Sequence, residues 1–314
     1  MQNVWVLRFG ELGLKSKVVR RQFQRGLYNN MDILAKYNNI SLKQGRIISM
    51  EVITSDAETE IVENVLCRLL GVVAIDPAIV ISDSIEPKEV ATKILSRDEN
   101  FGKNRTFGVR TKRLGPKENF STREYNEQIG HWMIELDPTL KVDLSNPDMW
   151  VRVVLEQSRV WQLEKRLNGA GGLPPGVQGD VLCKITNLEE MMSAFLIMRR
   201  GSRLIPIEGC DENLLEVLRK WDPSIGKSSK IKDLDGNLKT RYPWGVVGLS
   251  VEEGESTFER SKDEVKTVPL STLKPLCGWT ELEKENLLKH IHDPKHHISM
   301  PNFEGWMDDT AVSE

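Results

Sequence analysis

The hydrophobic positions of the chain change rhythm several times, and each change marks an expected element. Val4 to Arg8 reads as a short apolar strand closed by the turn-like Gly10-Glu11-Leu12-Gly13. From Lys17, Phe23, Leu27, Met31 and Leu34 recur at helical spacing, with Arg21 and Arg25 sharing a face away from that stripe. Gly45-Arg46 opens an expected strand from Ile47 to Ile53, and Glu58 to Leu70 reads as a second amphipathic helix ended by Gly71. Val72 to Ile81 is a β-rich run, expected to be interrupted at Asp76-Pro77. Strand, helix, strand, helix, strand in that order suits a small α+β sandwich of ferredoxin-like type.

A second α+β stretch begins near Ser84. The pattern predicts a helix from Pro87 to Leu95, a strand from Thr106 to Arg113 and a helix from Glu124 to Leu136. Trp150 to Leu155 and Val160 to Leu163 read as a hairpin. The run Gly169-Ala170-Gly171-Gly172-Leu173-Pro174-Pro175-Gly176 marks a linker or a tight junction. Beyond it, strands (Val181 to Ile185, Leu204 to Ile207, Val246 to Ser250) alternate with helices (Glu189 to Arg200, Glu212 to Trp221), which predicts a parallel α/β sheet. The tail after Asp293 is polar and expected to be loosely held.

At 314 residues, two or three domains are expected. No apolar run reaches the roughly 18 residues of a membrane span, and Met1-Gln2-Asn3-Val4-Trp5 does not open like a signal peptide. Cys67, Cys183, Cys210 and Cys277 are far apart, which argues against a disulfide framework or a cysteine zinc site and leads to an expectation of a cytoplasmic protein with free thiols. Cys183 and Cys277 are expected as small core residues.

The net charge of -3 conceals two basic islands. Arg8, Lys15, Lys17, Arg20, Arg21 and Arg25 face the single acid Glu11, and seven cations between Lys103 and Arg123 face Glu118. Two such islands in a near-neutral chain point to a polyanionic partner, although solvated faces would look the same. In the second island, strand alternation puts Phe107, Val109 and Thr111 on one side and Gly108, Arg110 and Lys112 on the other. Cations on an open strand face, near Phe120, suit phosphate contact. Four histidines fall between His290 and His297, but Pro294 breaks the helical spacing of a two-His metal site, so a solvated loop is expected and no metal. His131, among Ile129, Trp132 and Met133, is expected as a packing residue rather than a base.

Several segments taken together carry a resemblance. Val6 to Lys17 with Arg20-Arg21-Gln22-Phe23 resembles the opening of the tRNA 4-thiouridine sulfurtransferases, also named as thiamine-biosynthesis proteins. Leu70-Gly71-Val72 and Asp76-Pro77-Ala78 are similar to the end of that family's ferredoxin-like domain. Phe107 to Arg113 and Val142 to Asp148 resemble its RNA-binding THUMP domain, and Gly169 to Gly176 its inter-domain junction. Met198-Arg199-Arg200-Gly201 and Val268 to Trp279 fit its C-terminal nucleotide domain. The resemblance implies a ferredoxin-like domain at residues 1–80, a THUMP domain at 81–167, a junction at 168–177 and a Rossmann-like α/β domain of PP-loop type at 178–314. It implies RNA contact through Lys15, Lys17, Arg21, Arg110, Lys112 and Arg113.

The departures from the family pattern matter as much. The pyrophosphatase loop Ser-Gly-Gly-x-Asp-Ser should fall on Ile185, Thr186, Asn187, Leu188, Glu189 and Glu190, where the phosphate-cradling glycines are gone and two carboxylates stand instead. Those carboxylates are expected to occupy the anion site at the helix N-terminus themselves. Trp244 to Ser250 only loosely resembles the second nucleotide-contacting segment, and a sulfur-carrying rhodanese domain is not expected. The family uses ATP and Mg²⁺ to adenylate a uridine carbonyl before sulfur replaces its oxygen; here the expectation is a tRNA-binding helper with no cofactor. The alternatives are a working ATP-dependent tRNA sulfurtransferase with an atypical nucleotide site, and a scaffold without RNA. Expected partners are tRNA, a separate tRNA-modifying or sulfur-carrier protein and a second copy of the chain, with no membrane.

Overall fold

A computed structural model describes residues 3–10, 16–47, 49–114, 121–232, 238–250, 252–253 and 271–298, except the side chains of residues 17, 18, 231, 232 and 238. The chain forms two compact units, one of residues 1–8, 42–56 and 75–167, the other of residues 9–41, 57–74 and 168–314.

The first unit is built on one long sheet. Its strands are β1 (Asn3–Phe9), β2 (Lys43–Ile47), β3 (Met50–Ser55), β4 (Val72–Ser82), β5 (Arg105–Arg113), β6 (Leu140–Val142), β7 (Met149–Leu155) and β8 (Val160–Leu163), in the spatial order β2-β3-β1-β4-β8-β7-β5-β6. The expected strand from Ile47 to Ile53 is two: β2 and β3 form an antiparallel hairpin with Ile47 opposite Met50. The apolar run conceals the reversal because the sequence from Ile47 to Met50 holds neither glycine nor proline. β4 runs through Asp76-Pro77 without the expected break, since one missing N–H removes a single ladder donor. Pro77 still takes part, its carbonyl accepting from the Glu164 N–H at 2.8 Å.

Period-2 alternation gives this sheet two faces. One face of the β5–β7–β8 end, with Phe107, Val109, Val151 and Val153, is buried under two helices, α3 (Pro87–Ser96) and α4 (Thr122–Leu136). α4 starts with a full capping box, Ser121 and Glu124 each accepting from the other's backbone N–H. On the opposite face Val6, Val52, Ala78, Val154 and Leu163 form a second apolar cluster made mainly of strand residues.

In the second unit, helices α1 (Lys17–Tyr37) and α2 (Thr59–Cys67) belong with an α/β domain. The apolar stripe of α1 is buried as its spacing predicts, Leu27 and Met31 completely, while Arg21 and Arg25 are exposed. Asn30 of α1 donates to the Pro175 carbonyl and accepts from Arg203, whose guanidinium is paired with Asp222 at 3.0 Å. β9 (Leu167–Asn168) pairs with β4. β10 (Asp180–Cys183), β11 (Arg203–Pro206), β14 (Gly245–Val247) and β15 (Ser271–Leu273) form a parallel sheet in the order β11-β10-β14-β15, and β12 (Lys230–Lys232) pairs with β13 (Leu238–Thr240). Helices α5 (Leu188–Arg199), α6 (Glu212–Arg219) and α7 (Glu281–His292) close a core around Phe195, Leu204 and Trp221. The chain passes from β10 to β11 on one side and reaches β14 on the other, so a topological switch point opens at the carboxyl end of β10. No helix among the described residues is long and apolar enough to cross a membrane.

Candidate nucleic-acid interface and switch-point cleft

Several cations of the first unit lie on the face of the sheet that the two helices leave uncovered. Arg110 and Lys112 are exposed on β5, on the side opposite the buried Phe107 and Val109. The Arg110 guanidinium lies 3.6 Å from the centroid of the Trp150 ring on β7. This stacking depends on Gly108, directly opposite Trp150 in the ladder, because a Cβ there would stand 2.6 Å from the ring. A stacked guanidinium keeps its N–H edge available for phosphate while its plane is held by the ring. Burial lowers the pKa of the Lys112 ammonium, and the nearby positive charge of Arg8 lowers it further.

Beside these two lies a group that sequence spacing did not single out. Asp76 of β4 has a completely buried carboxylate, and three arginines converge on it. Arg8 at the end of β1 donates through Nε at 3.0 Å, and Arg152 of β7 through Nη1 at 2.7 Å. Arg166 forks onto both oxygens, Nε at 2.8 Å and Nη2 at 3.0 Å. Burial pushes the Asp76 carboxyl up, but the hydrogen bonds from Arg166, Arg152 and Arg8 outweigh it and hold the group well below the usual carboxylate range. The only signal in the sequence was parity: Arg8 shares the face of Val4 and Val6, and Arg152 that of Val154.

The other expected contacts are distributed differently. Arg113 has the parity of Phe107, and its charge acts on the buried Tyr125 hydroxyl, so it lies towards the helix-covered side. Arg21 is exposed on α1 and belongs to the other unit. Lys15, Phe120 and the Lys17 side chain lie outside the described residues.

At the switch point of the second unit the altered loop turns on itself. Asn187 caps α5 by accepting from the Glu190 N–H at 3.0 Å. The Glu190 carboxylate in turn accepts from the Thr186 N–H at 2.6 Å and its hydroxyl at 2.8 Å. Ile185 is buried, Leu188 is exposed, and Glu189 pairs with Lys284 at 2.7 Å. An open cleft of about 860 Å³ lies here, lined by Glu189, Glu190, Glu252 and Glu253 together with Ser250, Lys274 and Cys277. Cys277 is therefore exposed on a cleft rather than packed in the core, whereas Cys183 is buried as expected.

The histidines also differ from expectation. His290 is on the last turn of α7 and only 3% exposed, packed against Trp221 and Phe195 instead of lying in a solvated loop. Helical spacing carries into the run as far as His292, which the count of polar residues hid. His131 is exposed beside Trp132 rather than packed. Among the described residues, no three His, Cys, Asp or Glu side chains are arranged to hold a metal ion.

Comparison with known proteins bears on both sites. The THUMP domain family matches residues 88–161, a span containing β5, β7 and α4. The chain is a THUMP-domain protein in which a mixed α+β region precedes a parallel-sheet domain of PP-loop, Rossmann-like type. It is related in sequence and structure to the tRNA sulfurtransferases. A probable tRNA sulfurtransferase of Methanocaldococcus jannaschii is 28% identical over 241 residues, covering 70% of this chain and 61% of the relative. A tRNA sulfurtransferase of Histophilus somni is 32% identical over 206 residues, covering 62% of this chain and 41% of the relative. The chain thus spans about three fifths of the length of the first relative and two fifths of the second. The crystal structure of PH1313 from Pyrococcus horikoshii superposes with a TM-score of 0.67 at 23% identity, over 93% of this chain and 99% of that one. A 4-thiouridine synthetase in complex with RNA and ATP gives 0.63 at 18%, over 98% and 94%.

Proposed function

We propose that this protein binds tRNA through the cationic sheet face of its first unit and acts in tRNA thiolation without adenylating the RNA itself. The observation that carries the reading is the composition of that face. Arg8, Arg152 and Arg166 converge on one buried acid, and Arg110 and Lys112 are exposed on the same face of the sheet, inside and beside the THUMP match. Such a surface follows a folded RNA by its backbone and shape, with no need to read bases. Relatives named for tRNA sulfur transfer support tRNA as the RNA, and the solved synthetase–RNA complex shares the fold.

The switch-point cleft does not fit a triphosphate. In the family loop, backbone N–H groups close on phosphate; here the Thr186 N–H is already taken by the Glu190 carboxylate. Four carboxylates line the cleft with Lys274, and a polyphosphate entering it would meet net repulsion. The protein then serves as a helper that presents tRNA to a separate modifying or sulfur-carrying enzyme. The second reading, an active ATP-dependent tRNA sulfurtransferase, has the cleft itself in its favour, since its volume and its place at the strand ends persist. Calorimetry with ATP and Mg²⁺ separates the two: no saturable binding is expected, and binding with tRNA-dependent ATP turnover would establish the second.

The test of the RNA reading is the double variant Arg110→Ala/Lys112→Ala. Affinity for a folded tRNA should fall, and the slope of log K against log salt should flatten by about one to two units. The melting temperature should barely move, because exposed charges contribute little to stability. Parent-like binding with an unchanged slope would make this an ordinary solvated face.

A further inference from the structure

We propose that Asp76 is a positioning residue, and that the arginines it holds, chiefly Arg8 and Arg166, form a preorganised binding site for backbone phosphate. The inference rests on the RNA reading above and adds to it a site distinct from Arg110 and Lys112.

A buried carboxylate needs one good cationic partner to be neutralised; Asp76 has three, which leaves a surplus of two positive charges at one point. The three partners come from different parts of the chain: the end of β1, the middle of β7 and the segment after β8. Each is partly open, with 28% of the Arg8 side chain, 20% of Arg152 and 49% of Arg166 exposed. Surplus cations placed side by side repel one another, so an arrangement that keeps them together without need for stability points to an anion outside it.

The donor count points the same way. Arg8 spends only Nε on Asp76, which leaves both terminal nitrogens without a partner among the described residues. Arg166 spends Nε and Nη2, leaving Nη1. Arg152 is committed further, to Asp76 and to the Glu164 carbonyl, and supports the other two. The buried carboxylate thus fixes two guanidinium planes whose remaining N–H groups have no acceptor among the described residues. The Arg8 charge lowers the pKa of Lys112, so the site borders the surface of Arg110 and Lys112 without including it. Arginine is the side chain suited to such a task because its planar fork matches the oxygens of phosphate.

Charge and positioning predict opposite signs for one substitution. Asp76→Asn removes the only acid of the cluster, so electrostatics alone predicts tighter tRNA binding. If Asp76 positions the arginines, binding weakens although the face has become more positive. The partner test is Arg8→Gln/Arg166→Gln, expected to weaken tRNA binding and lower the salt slope by about two units, at about 0.9 per lost phosphate contact. Fluorescence anisotropy with folded tRNA across a salt series reads both. Tighter or unchanged binding by folded Asp76→Asn overturns the positioning role. Should that variant fail to fold, the double glutamine variant decides, and an unchanged slope overturns the site. Loss of binding on Arg110→Ala/Lys112→Ala but not on Arg8→Gln/Arg166→Gln would defeat this inference while leaving the RNA reading intact. If the parent binds no tRNA, the RNA reading fails instead. The site is then judged by the arginine Nε–Hε NMR signals under inorganic pyrophosphate. Selective shifts of Arg8 and Arg166 support it, and their absence overturns it.

Discussion

Acidification should destabilise the second unit through one imidazole. His290 is 3% exposed between Trp221 and Phe195, with ring centroids 5.1 and 5.9 Å away. Its Nδ1 lies 2.7 Å from the His296 carbonyl, which only accepts, so Nδ1 carries the proton and Nε2 carries the lone pair. That Nε2 is buried and has no hydrogen-bond partner among the described residues. A second proton would sit there without an acceptor, in apolar surroundings and near the Arg199 charge. Burial accordingly lowers the His290 pKa from 6.5 to about 4, helped by Arg199 and His296 and opposed by the carbonyl contact and Asp293. Between these values the unfolded chain holds a proton that the folded chain lacks, so stability rises with pH across the window and is lost as pH falls through it. At about 1.36 kcal/mol per pH unit, the interval amounts to about 3 kcal/mol, a large part of the stability of a domain. Urea unfolding followed by circular dichroism at steps between pH 7 and pH 4 should show this loss. His290→Phe should keep the aromatic packing, lose about 1 kcal/mol at neutral pH with the missing hydrogen bond, and flatten the pH dependence. Asp76 does not confuse the assignment, because its lowered pKa places its own loss of stability below 3.8. A constant gap between parent and variant over the whole window would refute the reasoning.

Other expectations follow from particular contacts. Gly130 sits in the middle of α4, and a Cβ added there would meet nothing within 4 Å, so Gly130→Ala should stabilise by about 1 kcal/mol in thermal unfolding. Gly172, at φ +69°, would place a Cβ 2.2 Å from the Arg199 carbonyl oxygen, and Gly172→Ala should lower the melting temperature clearly. Asp222→Ala would strand the largely buried Arg203 guanidinium and should cost about 3–5 kcal/mol by chemical denaturation. The purified protein should contain no stoichiometric iron or zinc by elemental analysis; about one metal per chain would contradict this.

What could be read from the sequence was mostly periodic. The apolar stripe of α1, the alternation of β5 and the β7–β8 hairpin repeat over enough residues for burial to be visible in the residue order. What escaped was set by partners distant in the chain. The Asp76 cluster joins positions 68 to 90 residues apart, and nothing local distinguishes Arg166 from a solvated cation. The β2–β3 turn was lost in an apolar run, and the burial of His290 depends on Trp221 and Phe195 from elsewhere in the unit. In the switch-point loop the missing glycines are plain in the residue order. The capture of the Thr186 N–H by Glu190 follows in kind, though not in detail, from carboxylates at a helix start.

The glycine- and proline-rich run also decides how the protein can be taken apart. It looks like a tether, yet Gly71 donates to the Gly171 carbonyl at 2.7 Å, Gly171 to Val72 and Gly169 to Val73, and Ala170 and Leu173 are buried. The glycines are there for close approach: a Cβ on Gly169 would stand 2.3 Å from the Val72 oxygen. Helices α1 and α2 fall in the same unit as this run although they precede it by about a hundred residues or more. Severing the chain near residue 168 would therefore not release a self-sufficient N-terminal half. It would leave two helices without the rest of their own unit, so deletion work on this protein should proceed by point substitution in the full chain.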